Sequence, residues 1–170
     1  MLNLSFYIEE DVVAIGQQLL GKILVTNFDG VYTSGMIVET ESYQGPTDKA
    51  SHAYGNKRTK RTETMFQLGG VTYVYLCYGM HHLLNIVTGK KDVPHAVLIR
   101  AIEPVAGIDI MLERRGLKTV KRNLTAGPAL VTQALGIDKQ HDNLSLIQSK
   151  SQSQIWIEDA GIVVLTKNII

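Results

Sequence analysis

Two glutamates separated by one residue stand just before a tyrosine in the stretch 38–52, VETESYQGPTDKASH, which ends on a histidine. If the stretch begins as a strand, its side chains alternate between faces, so Glu39, Glu41 and Tyr43 share one face. Two carboxylates and an aromatic ring on one side would suit the wall of a catalytic pocket. They would equally suit a solvated sheet face, the commoner setting for a glutamate. The residues alone leave both interpretations open, and His52 by itself adds little.

Tyrosines are the second chemically suggestive group. The run YVYLCYGM places Tyr73 and Tyr75 on one face of a predicted strand and Tyr78 beside Gly79, where the chain should turn. We expect Tyr73 to lie in the core, because tyrosine is a common strand residue. An aromatic that projects from a turn could act as a wedge in a base stack, and one on a pocket face could stack on a base.

The positive charge of the chain is local. The net charge is only +1, yet four of the five residues 57–61 and five of the nine residues 114–122 are Lys or Arg. Two such clusters are consistent with a surface that faces a polyanion. They are also consistent with two solvated loops, so charge alone does not predict a nucleic-acid partner.

Composition bounds the class of protein. With 170 residues, of which 45% are hydrophobic and 19% charged, the chain suits one globular domain. We expect an intracellular protein that is not secreted, because acids follow the N-terminus closely and Cys77 has no second cysteine to pair with. No apolar run reaches the roughly 18 residues of a membrane span. Cys77, His81 and His82 lack the spacing of a metal site, so none is predicted.

Periodicity predicts an α+β fold: a single domain with a largely antiparallel β-sheet core and surrounding helices. An amphipathic helix with acids in its first turn should end at Gly21, and Asp29-Gly30 should join two strands. A long polar loop should run from Gln44 to about Thr64, and a loop of this length in a compact domain is often functional. The remaining predicted elements are two strands around Gly79, a strand that Pro104 stops, helices in VAGIDIMLERRG and GPALVTQALGI, and a strand in QIWIEDAGIVVLT.

The ordered combination of these motifs resembles the alkyladenine (3-methyladenine) DNA glycosylase family of base-excision repair. The resemblance covers about Glu10 to Ile137 and rests on VETESYQGPTDKASH, MFQLGGVTYVYLCYGMHHLLNIV, VLIRAIEP and GPALVTQALGI. It implies an enzyme that flips an alkylated or deaminated purine out of double-stranded DNA and hydrolyses its N-glycosidic bond, without metal, cofactor or covalent intermediate. The implied substrates are 3-methyladenine, 7-methylguanine and hypoxanthine. We expect a monomer with no membrane partner, in the cytoplasm with the nucleoid or in a nucleus.

The resemblance also implies a role for each residue of a base site. Glu41 matches the glutamate that deprotonates or orients the attacking water. Tyr43 and Tyr75 match the aromatic residues that sandwich the flipped base, and His52 matches the residue that faces its edge. Asn85 matches the asparagine that obstructs the exocyclic amino group of normal guanine.

A second set of implied roles concerns the DNA itself. Tyr78 matches the wedge that fills the vacated place in the base stack, and Arg100 matches an arginine near the backbone of the flipped nucleotide. Lys57, Arg58 and Arg61, from the first basic cluster, are expected to contact the DNA backbone.

The chain departs from the family pattern in two places. Leu130 stands where the family commonly carries a lysine, which removes a possible phosphate contact. The family usually continues through a W-x-x-x-P-x-R-F segment, whereas this sequence ends at VLTKNII, so we expect a domain shortened at its C-terminus. Such shortening would expose a sheet edge and weaken DNA binding.

Two other functions remain open. The first is a non-catalytic nucleic-acid-binding domain of the same fold, which would bind DNA without releasing a base. The second is a glycoside hydrolase that uses Glu39 and Glu41 as a pair, although paired carboxylates in such enzymes flank the bond from opposite sides. On the glycosylase interpretation Glu39 holds or orients the site instead.

Overall fold

The computed structural model describes residues 1–148, 154–162 and 164, and its strands are the main elements of the fold. The bounds of the strands are β1 Ile23–Phe28, β2 Val31–Tyr43, β3 Thr72–Cys77, β4 His81–Thr88, β5 His95–Ala106 and β6 Ile155–Glu158. Within the described residues they form one sheet in the order β3-β4-β5-β2-β1-β6, and neighbouring strands run antiparallel. The antiparallel α+β fold predicted from the sequence is thereby confirmed.

Helices cover part of the sheet. The α-helices are α1 Leu4–Tyr7, α2 Val12–Leu19, α3 Ile108–Arg115 and α4 Pro128–Leu135, and short 3₁₀ turns occupy Tyr54–Asn56, Glu63–Phe66, Arg122–Leu124 and Lys139–His141. The predicted helices α3 and α4 are confirmed, and Pro128 stands in the first turn of α4. The prediction for α2 was wrong in one respect: the acids precede the helix, because Asp11 is its N-cap and accepts from the amides of Val13 and Ala14.

The two faces of the sheet carry separate apolar clusters. On β3, β4 and β5 neighbouring residues alternate between them: Val74, Ile86 and Val97 belong to the larger cluster, which also contains buried residues of α2, α3 and α4. Tyr73, Val87 and Ala96 belong to a smaller cluster with Met65 and Phe66 from the 44–66 segment. This period of two places one sheet face against the helices and the other against that segment.

Helix α2 lies very close to β2. A Cβ on Gly16 would come 2.3 Å from the Ser42 hydroxyl oxygen, so a larger residue there would displace that hydroxyl. The Ser42 hydroxyl donates to the carbonyl of Val12 at 3.1 Å, and the Thr40 hydroxyl donates to the carbonyl of Gly16 at 2.9 Å. These bonds fix one face of the second half of β2 against α2 and leave its other face for the site described below.

Strand β5 continues past the proline that was expected to stop it. Pro104 pairs with Gly35 of β2, and the strand runs on to Ala106. Proline is tolerated here because β4 pairs with β5 only as far as Leu98, and because the β2 register shifts between Ser34 and Gly35.

The described residues bear on several other predictions. The Asp29-Gly30 hairpin and the two strands around Gly79 are confirmed. Among these residues, none of the helices combines the length and the apolar character that crossing a bilayer requires. Of the last predicted strand, residues 154–166, only Ile155–Glu158 form a strand among the described residues, namely β6. The expectation of a shortened C-terminus concerns residues 165–170, which lie outside the described part.

Candidate active site

A small cavity lies between the sheet and the 44–66 segment. Its lining residues are Tyr43, Ala50, Ser51, His52, Met65, Tyr73, Tyr75, Asn85 and Ala96, and its volume is about 30 Å³. We call it the aromatic cavity. Four of the five residues that the sequence assigned to a base site, Tyr43, His52, Tyr75 and Asn85, line it. A cavity needs about 10–15 Å³ of such space to hold one water molecule, so this one has room for a few waters, and two fused rings do not fit inside it as it stands.

The 44–66 segment is fixed at its beginning by an unusually close approach. A Cβ on Gly45 would lie 2.0 Å from the Pro94 carbonyl oxygen, which excludes any larger residue. The Gly45 amide donates to Nδ1 of His95 at 3.1 Å, and His95 is buried. The glycine of the E-x-Y-x-G-P motif therefore lets the chain leave β2 and cross directly over the start of β5.

A pair of β-bulges turns the acidic residues toward this side of the sheet. Ile37 faces the helix-side core, and simple alternation would send Glu39 and Glu41 the same way. Val38 and Arg100 are each left out of the β2–β5 pairing, with register shifts on both sides of Glu39. Each extra residue reverses the alternation of side chains, so Glu39, Glu41 and Arg100 share the face opposite α2. Bulges beside active sites commonly redirect side chains in this way.

Glu41 is held by two donors. The Tyr43 hydroxyl donates to Oε1 at 2.8 Å, and Arg100 Nη1 donates to Oε2 at 2.5 Å. Arg100 also donates from Nε to Glu39 Oε1 at 2.8 Å. The hydrogen bond to Glu39, ahead of the charge of Glu41, raises the pKa of the Arg100 guanidinium. A half-exposed carboxylate with both oxygens oriented, beside an aromatic cavity, has the geometry of a general base.

Three aromatic side chains meet at the other wall of the cavity. The ring centroids of His52 and Tyr75 are 4.6 Å apart in an edge-on arrangement, and those of Tyr73 and Tyr75 are 5.5 Å apart. Tyr73 is buried, as predicted, and its hydroxyl lies 3.0 Å from His52 Nδ1. The buried Asn85 donates from its amide nitrogen to the Tyr73 carbonyl at 3.3 Å, which fixes the orientation of that amide.

Burial shifts the titration of these side chains. It lowers the pKa of His52, with a smaller contribution from the positive charge of Arg61. Burial raises the pKa of Tyr73 to about 12 and, together with the bond to Glu41, raises the pKa of Tyr43. Near neutral pH the cavity therefore presents an uncharged imidazole and protonated phenols.

Tyr78 stands at the β3–β4 turn in a strained conformation. Its φ is +50° and that of Gly79 is +70°, with the Met80 amide bonded to the Cys77 carbonyl at 3.1 Å. A bulky residue at positive φ is uncommon, and strain of this kind concentrates at functional sites. The side chain is 90% exposed, so the turn presents an aromatic ring to the solvent as the sequence predicted.

The four cations expected to meet a DNA backbone have different surroundings. Lys57 is exposed, and among the described residues its side chain forms no ion pair. Arg58 is bound to Glu63 and Asp92. Arg61 lies over the ring of Tyr75, 5.2 Å from its centroid, with Nη2 3.3 Å from His52 Nε2. Arg100 is joined to Glu39 and Glu41.

In the second basic cluster, residues 114–122, two arginines stabilise the fold. Arg114 donates to the carbonyl of Ala134, and Arg115 donates to the carbonyl of Leu124. Lys118, Lys121 and Arg122 are exposed.

Sequence reasoning missed two features of the site. Asp142 accepts from the Val74 amide at 2.9 Å and from the Thr64 hydroxyl at 3.3 Å, so it joins β3 to the 3₁₀ turn below the cavity. Arg61 was assigned to the backbone, yet it contacts the aromatic cavity. Neither could have been found from spacing, because each contact joins segments that are distant in the sequence or lie in a loop without periodicity.

A metal site and a second cavity are the alternatives to a site at the aromatic cavity. Within the described residues no group of three or more His, Cys, Asp or Glu side chains is placed to hold a metal ion. A larger cavity of about 910 Å³ lies between α2, β2 and the 120–126 segment, and Glu39 lines it. It contains none of the aromatic residues, so we place the candidate chemistry at the smaller cavity.

Comparison with known proteins gives consistent matches. A family model described as methylpurine-DNA glycosylase (MPG) matches residues 5–169. A Chlamydia pneumoniae protein named "Putative 3-methyladenine DNA glycosylase" is 52% identical over 147 residues, which are 86% of this chain and 75% of that protein. Proteins with the same name are 46% identical over 169 residues in Clostridium perfringens (95% and 80% covered) and 49% identical over 147 residues in Bacillus cereus (84% and 71% covered).

Proposed function

Because the chain belongs to the methylpurine-DNA glycosylase family and is therefore a DNA N-glycosylase, we propose that it acts on duplex DNA that contains 3-methyladenine, 7-methylguanine or hypoxanthine. It flips the damaged nucleotide and hydrolyses the bond between base and sugar with a water that Glu41 activates. The observation that carries this proposal is the position of Glu41: an oriented carboxylate beside a cavity lined by aromatic rings.

The hydrolysis needs one base and one positioned water. Glu41 takes a proton from the water while the water oxygen bonds to C1′ of the sugar, and the electrons of the broken bond leave with the base. The sugar is oxocarbenium-like in the transition state, and a nearby carboxylate stabilises that charge. Tyr43 and Arg100 each satisfy one lone pair of Glu41, and the carboxylate keeps further lone pairs for the water.

Base selection relies on the cavity walls. Tyr43 and Tyr75 stack on the flipped base, which contributes about 1–3 kcal/mol per base. A cationic alkylated purine gains further from electron-rich rings. Asn85, fixed by its bond to the Tyr73 carbonyl, obstructs the exocyclic amino group of guanine.

Residues outside the cavity hold the duplex. Tyr78 enters the vacated place in the stack and offsets part of the few kcal/mol that flipping costs. Lys57 is free to contact a phosphate, whereas Arg58 would first have to leave two carboxylates.

A substrate panel tests this function. Duplexes that carry one 3-methyladenine, one 7-methylguanine or one hypoxanthine are compared with an undamaged duplex for release of free base under single-turnover conditions. We expect release from the damaged duplexes and none from the undamaged one. Binding of every damaged duplex without release would contradict the proposal and favour a non-catalytic DNA-binding domain.

A further inference from the structure

Arg61 occupies the approach to the aromatic cavity. Its guanidinium lies 5.2 Å from the centroid of Tyr75, and its Nη2 lies 3.3 Å from His52 Nε2. Both are side chains that a flipped base must contact under the proposed function. The cavity beside them is only about 30 Å³, and a purine that stacks on Tyr75 competes with the guanidinium for the face of that ring.

The contact with Arg61 also fixes the tautomer of His52. A guanidinium carries N–H donors and no acceptor, so Nε2 of His52 is the acceptor in this pair. The ring proton then stands on Nδ1 and is donated to the Tyr73 hydroxyl, 3.0 Å away. Nε2 of His52 is therefore a hydrogen-bond acceptor. Arg61 donates to it from the position that an N–H group on the edge of a bound base would take.

The Arg61 side chain is exposed, whereas the backbone of its loop is fixed. The buried Thr62 side chain accepts from the Thr59 amide at 2.8 Å and donates to the Lys57 carbonyl at 2.9 Å, which fixes the loop. Among the described residues Arg61 has no carboxylate partner, whereas Arg58 is paired with Glu63 and Asp92. Withdrawal of the Arg61 guanidinium therefore breaks no ion pair among these residues and leaves the loop backbone in place.

We propose that Arg61 is a displaceable plug of the base pocket: without DNA it covers Tyr75 and binds His52, and on base entry it moves to a DNA phosphate. This inference rests on the proposed function of the pocket. A cationic alkylated purine and a guanidinium repel each other in one small site, so the phosphate is the favourable destination for Arg61. The plug accounts for both the pocket contact seen here and the backbone contact expected from the sequence.

The first experiment uses no DNA and no turnover. Free 3-methyladenine is titrated onto wild type, Arg61→Met and Lys57→Ala by calorimetry. Arg61→Met keeps an apolar stem without the charge, and Lys57→Ala removes an equal charge from the same loop away from the cavity. We expect Arg61→Met to bind the base roughly two- to fivefold more tightly, the factor that an exposed cation–π contact allows. Lys57→Ala should bind the base as wild type does.

Unchanged or weaker base binding by Arg61→Met would overturn the plug. Weaker binding would mean that Arg61 holds the base in place, and unchanged binding would mean that Arg61 does not contend with the base for the cavity. Failure of all three proteins to bind the base would instead contradict the proposed function of the cavity. Nitrogen NMR of His52 supplies a check that is independent of ligand: wild type and Lys57→Ala should show the Nδ1–H tautomer, and Arg61→Met a mixture. A wild-type ring protonated at Nε2 would overturn the assignment.

The second experiment tests where the plug goes. The salt dependence of binding to a damaged duplex should lose about one unit of slope in Arg61→Met, as for any lost phosphate contact. The loss should equal that of Lys57→Ala if Lys57 also meets a phosphate. A slope identical to that of wild type in Arg61→Met would show that Arg61 does not move to the backbone, and would overturn that half of the proposal.

Discussion

Arg100 donates to Glu41 at 2.5 Å from a position in β5 that the β2–β5 ladder leaves unpaired. The same guanidinium reaches Glu39, so one arginine fixes both acids on one side of the sheet. The arrangement separates their roles. Glu41 is also bound by the cavity residue Tyr43, whereas Glu39 contacts Arg100 and borders the larger cavity beyond.

Removal of the Tyr43 hydroxyl should affect chemistry more than binding. Tyr43→Phe keeps the ring and loses the bond to Glu41 Oε1, so base release should slow by roughly two- to tenfold, the range of one ordinary hydrogen bond. Affinity for a damaged duplex should stay near that of wild type. Tyr43→Ala is the comparison: it removes the ring as well and should weaken binding by about 1–3 kcal/mol. Equal binding losses in the two variants would contradict a stacking role for Tyr43.

Tyr78 should show opposite effects on stability and function. Asparagine adopts positive φ more readily than tyrosine, and the 90% exposed ring buries little surface. Tyr78→Asn should therefore raise the free energy of unfolding by up to about 1 kcal/mol, the low end of the strain of a non-glycine residue at positive φ, as measured by urea denaturation. The same variant should release base more slowly from duplex DNA, because the wedge is gone. A variant that is both less stable and fully active would contradict the assignment.

Gly45 should tolerate no side chain. A Cβ there would lie 2.0 Å from the Pro94 carbonyl oxygen, so Gly45→Ala should cost about 1–3 kcal/mol of stability through overpacking. Because the displaced chain carries the 44–66 segment, base release should fall as well. Gly55→Ala is a control within the same segment: nothing lies within 4 Å of its Cβ, although its positive φ adds some strain. A larger loss of stability in the control would show that the close approach is unimportant.

Stability should fall on mild acidification. Burial lowers the pKa of His52, His95 and His141 below the ordinary value of 6.5. Below that value the unfolded chain binds more protons than the folded one, so the free energy of unfolding decreases as the pH falls toward the folded pKa values. Denaturation at about pH 7.5 and about pH 5.5 should show this decrease. Equal stability at the two pH values, or greater stability in acid, would contradict it.

The order of elements was predictable because it depends on local pattern. Alternating residues and the Asp29-Gly30 turn predicted the antiparallel strands, and Pro128 marked the start of α4. The path of β5 was not predictable, because tolerance of Pro104 depends on how far β4 extends beside it. The sharing of one face by Glu39, Glu41 and Tyr43 was predicted. This shared face lies on the side of the sheet opposite Ile37 because of the bulges in the β2–β5 pair, and the pattern of the sequence does not reveal bulges.

The site was predictable as a set of residue types and not as a set of contacts. Glu41, Tyr43, His52, Tyr75 and Asn85 followed from the resemblance to a family, and the structure places them together. The partner of Arg61 could not be predicted, since a cation in an irregular loop has many possible partners. The brace from Asp142 to Val74 joins residues 68 positions apart, so only the folded chain reveals it.

The most direct test of the account is base release by Glu41→Gln under single-turnover conditions, with Glu39→Gln as the matched control on the same strand face. Binding of the damaged duplex is measured in parallel. We predict that Glu41→Gln retains binding and loses release by a factor on the order of 10²–10⁴, the contribution of a general base, while Glu39→Gln loses far less. Release that persists in Glu41→Gln, or an equal loss in Glu39→Gln, would contradict the assignment of Glu41 as the base that activates water.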